Sequence, residues 1–144
     1  MTRWHLPVAL AAFGFAACGG DSDQKFRERA QTVCTSYAAK IQAIERPRDL
    51  THLAETSGQT ADLLEQQLAE LRGLEAPGAV ATDFGQWLKL TGEAVSNARA
   101  IQTAAKGQDQ QRVLELAGEA AKNTLSADRI ARDLKLSKCM IEAA

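Results

Sequence analysis

The chain has 144 residues, with 17 Lys and Arg against 18 Asp and Glu and a formal net charge of −1. This near-neutral balance argues against nucleic acid, which calls for a clustered basic face, and against a polybasic membrane-binding surface. Good helix formers such as Ala, Leu, Gln and Glu dominate, aromatic residues make up only 5%, and Pro47 and Pro77 are the sole prolines after the first segment. The predicted class is all-α.

Met1 to His5 form a short region with Arg3 as its positive charge, and Leu6 to Phe15 form an apolar run interrupted by Pro7 and Gly14. Ala16-Ala17 then supplies small side chains before Cys18. This is the layout of a secretory signal. The run is too short for a transmembrane helix, which needs about 20 residues. Phe15-Ala16-Ala17-Cys18 resembles the lipobox of bacterial lipoproteins, although that pattern prefers Leu where Phe15 stands. The resemblance implies that residues 1–17 are removed, that the Cys18 thiol receives a diacylglyceryl group, and that Cys18 becomes the first mature residue. An ordinary signal cleaved near Ala17, with Cys18 a free thiol, is the alternative. Gly19-Gly20-Asp21-Ser22-Asp23 is a polar, glycine-containing stretch, so residues 18–22 are expected as a flexible tether and residues 23–144 as one folded domain. With residues 1–17 removed, the formal net charge becomes −2.

The cysteine count bears on the same reading. Three cysteines in an exported chain leave one unpaired. If lipid consumes Cys18, Cys34 and Cys139 remain as a pair in an oxidising compartment. Their bond would close a loop of about 105 residues, a constraint of roughly 4–5 kcal/mol in the chain-entropy account.

The first predicted helix runs from about Asp23 to Glu45, with Phe26, Ala30, Val33, Tyr37, Ile41 and Ile44 recurring at helical spacing. Arg46-Pro47-Arg48 breaks it, and Asp49 is placed to cap the next. The second spans about Leu50 to Leu74, with Leu53, Ala61, Leu64, Leu68 and Leu71 as its buried stripe. After the connector Glu75-Ala76-Pro77-Gly78, the third spans about Ala79 to Lys106 and presents Val80, Phe84, Trp87, Leu88, Val95 and Ile101. Trp87 is expected in the core. Gly107 fits a C-terminal cap and Asp109 a new N-cap. The fourth spans about Gln110 to Leu136, with Val113, Leu116, Ala117, Ala120, Thr124, Ala127, Ile130, Ala131 and Leu134 inward. Four such helices with short loops predict an antiparallel up-down-up-down four-helix bundle. In that topology Cys34 and Cys139 share one end.

Signatures of catalysis are missing from the sequence. There is no His-Glu-x-x-His pair, phosphate-binding Gly-x-x-x-x-Gly-Lys loop or Gly-x-Ser-x-Gly elbow, and no Glu-x-x-His pair for a bundle di-iron site. After the signal the one histidine is His52. No catalytic residue, metal or cofactor is expected. Gly58, Gly92 and Gly118 fall inside predicted helices, where glycine costs about 1 kcal/mol relative to Ala. Close helix approach is one reason for them. A ligand crevice in the upper half of the bundle, lined by Ser57, Gly58, Thr60, Thr91, Gly92 and Gly118, with Ser96 and Thr124 nearby, is the other.

In layout the chain is similar to small helical lipoproteins of high-GC bacteria, with a lipobox, alanine- and leucine-rich helices and a late cysteine, here in Leu134-Lys135-Leu136-Ser137-Lys138-Cys139. The resemblance implies a cell-membrane or outer-membrane location facing the extracytoplasmic or periplasmic space, and no reaction. Two functions are expected from this reading. One is a non-catalytic, lipid-anchored bundle that binds an envelope protein partner or supports an envelope assembly. The other is a carrier or sensor holding a small apolar or amphipathic ligand inside the bundle.

Overall fold

The computed structural model describes residues 19–140. The predicted signal, residues 1–17, and Cys18 lie outside the described residues, as do residues 141–144. The described chain forms four helices, α1 (Gly19–Gln42), α2 (Leu50–Arg72), α3 (Ala81–Lys106) and α4 (Gln110–Asp133), followed by a 3-10 turn at Ser137–Cys139. They make an antiparallel up-down-up-down four-helix bundle.

The caps explain where the helices begin. Asp49 accepts the His52 amide at 2.8 Å at the start of α2, and Asp109 accepts the Arg112 amide at 2.9 Å at the start of α4. Each satisfies one of the amides that a helix start leaves without an intrahelical carbonyl. α3 has no side-chain cap. Its entry is set by the turn in which the Val80 amide donates to the Pro77 carbonyl at 2.9 Å.

The ends differ in detail from the spacing-based expectation. α1 begins at Gly19, so residues 19–22, expected to belong to the tether, form its first turn. Lys25 pairs with Asp21 at 2.7 Å along this turn, and Gln24 donates to Glu28 at 2.9 Å. Such i, i+4 pairs, with acidic residues near the helix start, favour helix over coil. Gly107 caps α3 as expected, but with a right-handed backbone, and the left-handed residue is its neighbour Gln108, with φ 56°. The Gln108 amide donates to Ala105 and the Asp109 amide to Ala104, both at 3.0 Å, which is the paired closure of a Schellman motif. α4 ends in the same way, with Lys135 at φ 61°, Lys135 donating to Arg132 and Leu136 to Ala131.

Two core clusters fill the bundle. The first gathers Phe26, Ala30 and Cys34 of α1, Leu71 of α2, Phe84 and Trp87 of α3, Ala131 of α4, and Leu134 and Leu136 beyond it. Trp87 is buried, as its spacing predicts. The Phe26 ring meets Phe84 edge-on at 4.8 Å, and Phe84 stacks on Trp87 at 5.8 Å. The second cluster, at the other end, draws on α2, α3 and α4, through Ala54, Ala104, Ala105, Val113 and Leu116. The closest helix pairs are α2–α3 and α3–α4, whereas α1 is held by α2 and by the 3-10 turn. All four helices supply the first core, and α2, α3 and α4 the second.

Candidate functional site

The start of α1 and the 3-10 turn lie together at the end of the first core. Cys34, in the middle of α1, is bonded to Cys139 of the 3-10 turn, with Cα atoms 5.0 Å apart and 105 residues between them in sequence. The pairing expected from the cysteine count is therefore present. Around it, Arg27 Nε donates to the Leu134 carbonyl at 3.1 Å, one of the carbonyls that the end of α4 leaves without a helical amide. The same guanidinium lies 3.8 Å from Asp23, and Ser137 Oγ donates to Gln31 at 3.2 Å. Leu136, wholly buried, pins the turn to the core. α1 is thus tied to the end of the chain by a covalent bond, an arginine clamp and an apolar plug.

The six residues of the expected crevice are not drawn into one recess. Gly58 is buried against α3, where a Cβ would run into the Gln102 side-chain amide. Gly92 faces α2, its Cβ direction meeting Leu68 at 3.6 Å and Arg72 at 3.8 Å. The α2–α3 seam is tight at Gly58, whereas at Gly92 a methyl group would find ordinary contact distances. Thr91 returns its hydroxyl to the Trp87 carbonyl at 3.0 Å, and Ser57 and Thr60 are half-buried on α2. Gly118 lies exposed on α4, with nothing within 4 Å of its Cβ direction. Ala117, expected inward, is likewise exposed.

Two shallow recesses exist elsewhere. One, of about 460 Å³, is bordered by Val33, Leu74 and Glu70, and the other, of about 370 Å³, by Lys40, Ile44, His52 and Glu55. Both are lined by α1, α2 and adjoining loop residues alone, and neither contains a crevice residue. His52 Nδ1 lies 3.0 Å from Asp49 Oδ2, so its ring completes the α2 cap. The amide and ring bonds from His52 hold the Asp49 carboxyl below its ordinary pKa of 3.8. On the exposed α2–α3 seam Arg99 binds Asp62 at 2.5 Å and Glu65 at 3.2 Å. Among the described residues no group of three His, Cys, Asp or Glu side chains could hold a metal ion, and no helix is long and apolar enough to cross a membrane.

No protein-family model, curated protein or solved structure matches the chain. What the arrangement can do must therefore be read from its own residues.

Two features escaped the sequence reading. Tyr37 Oη donates to Glu70 Oε1 at 2.6 Å across the α1–α2 interface. That hydrogen bond is the first cause that raises the phenol pKa above its ordinary 10.0, ahead of burial and the Glu70 charge. The other is the outward face of α4, where Leu114 and Leu125 are exposed. Their mutual spacing was visible in the sequence, since they fall on one side of a helix and off the inward stripe.

Proposed function

We propose that this chain is a non-catalytic helical bundle held on the extracytoplasmic side of a cell membrane or outer membrane by lipid on Cys18, where it binds an envelope protein partner or supports an envelope assembly. The observation that carries the reading is the Cys34–Cys139 bond. With those two sulfurs joined, Cys18 is the one cysteine of the sequence left to react. A bond of this kind belongs to an oxidising compartment, in keeping with the signal-like first segment. Lipid placed on Cys18 stands one residue ahead of α1. The helix it precedes is itself fastened to the end of the chain, so the whole bundle moves with the anchor.

A non-catalytic role is supported by the polar groups already described. His52 and Asp49 serve a cap, Arg99 is engaged by two carboxylates, and Tyr37 by Glu70. The reading is tested by the intact mass of protein taken from membranes. Cys18 should carry a diacylglyceryl mass, and Cys18→Ser should release the protein from the membrane fraction with its fold unchanged. An unmodified Cys18 in membrane-derived protein defeats the proposal.

A further inference from the structure

The Cys34–Cys139 bond can be approached from one side. Cys34 lies in the first core with Phe26, Ala30 and Leu71 and is 1% exposed. Cys139 is half-buried and closes a 3-10 turn whose other two residues, Ser137 and Lys138, are exposed. A disulfide is broken by a thiolate that bonds to one sulfur and expels the other, and access decides which sulfur is attacked. The incoming, attacked and departing sulfurs lie close to one line. Attack on Cys139 therefore comes from the side away from Cys34, and so away from the core. Attack on Cys34 would need a thiol inside close-packed apolar side chains, where there is no room for one.

The chemistry of the departing sulfur selects the attacking reagent. Expelled from the bond, Cys34 becomes a thiolate in apolar surroundings, which hold a thiol pKa high. A thiol of high pKa leaves slowly and attacks back strongly. Cys34 also stays beside Cys139, with Cα atoms 5.0 Å apart, so a single thiol added at Cys139 is expelled again as the bond re-forms. A dithiol escapes this reversal. Its second thiolate attacks its own sulfur that is joined to Cys139, and Cys139 departs as a thiolate. One disulfide is reduced to two thiols, the dithiol is oxidised to a disulfide, and the two protons it gives up pass to Cys34 and Cys139. Once free, the Cys139 thiol has an acceptor in place, the Ala30 carbonyl 3.7 Å from its sulfur. The geometry points to Cys139 as the entry sulfur for exchange with a protein dithiol of the disulfide-oxidoreductase kind, with Cys34 the group expelled first. Completed exchange leaves α1 joined to the segment after α4 by the Arg27–Leu134 and Ser137–Gln31 hydrogen bonds and by the apolar contacts of Leu136. The inference does not rest on the lipid anchor.

The test uses the full chain with its disulfide intact and a thioredoxin whose second active-site cysteine is replaced by serine, so that the reductase cannot resolve the mixed disulfide. After an early acid quench, peptide mass mapping should find the reductase on Cys139 at least about tenfold more often than on Cys34. The urea-unfolded chain, where both sulfurs are open, should give both adducts. Thioredoxin with both active-site cysteines should carry the native chain to two free thiols, read as two added alkyl groups. Adducts on Cys34 equal to or above those on Cys139 in the native chain overturn the inference. So does a native chain that forms neither adduct while the unfolded chain forms both, or one whose bond survives the complete reductase.

Discussion

At the scale of single residues, the glycines in helices divide by what surrounds them. Gly85, exposed in α3, has nothing within 4 Å of its Cβ direction, whereas Gly58 faces the Gln102 amide. Gly85→Ala should therefore raise stability by about 0.5–1 kcal/mol, the ordinary helix-interior difference. Gly58→Ala should gain less, because Gln102 must swing outward to admit the methyl group. In a Gln102→Ala background Gly58→Ala should recover the full gain, and urea melts of the four variants measure this directly. Tyr37 supplies a pH-dependent term. Its folded pKa is raised above 10.0 by Glu70 and by burial, so its contribution is present below pH 10 and is lost as pH rises through the folded value. The melting temperature should fall more steeply above pH 10 in the native chain than in Tyr37→Phe. Equal slopes would show that the Tyr37–Glu70 bond adds nothing to stability.

At the scale of elements, α1 is the weakly packed helix. It lies against α2 and the 3-10 turn; of its buried residues Phe26, Ala30 and Cys34 enter the core at the disulfide end, and Tyr37 packs against α2. The bond to Cys139 therefore supplies much of what keeps it in place. Reduction, or Cys139→Ser, should cost about 4–5 kcal/mol by the chain-entropy account. It should also raise hydrogen exchange across α1 well before the amides of α2 and α3. Uniform exchange across all four helices after reduction would show that α1 docks without the bond. Helix boundaries illustrate what the sequence could and could not specify. The caps Asp49 and Asp109 were legible because their side chains act on amides three residues away. The start of α1 at Gly19 was not, because a Gly-Gly pair reads as coil until the Asp21–Lys25 pair is weighed against it. The left-handed residue at the end of α3, Gln108 rather than the cap Gly107, was hidden for another reason. It depends on where the α3 ladder stops, and propensity does not count that residue by residue.

At the scale of the molecule, topology and disulfide were legible together, since a bundle of four alternating helices brings the early and late cysteines to one end. The crevice was less so. Helical spacing alone puts Gly58 and Gly118 at a similar height, with Gly92 roughly five residues lower, but height does not fix azimuth. Gly58 and Gly92 turn toward the α2–α3 seam and Gly118 toward solvent. Gly118 shares the outward face of α4 with Leu114 and Leu125. α1 begins at the end where α4 finishes, shown by the Arg27 bond to the Leu134 carbonyl. Tension applied between the first turn of α1 and the 3-10 turn would therefore pass through the Cys34–Cys139 bond. α2, α3 and α4 lie inside the loop that this bond closes, so they would carry none of the load.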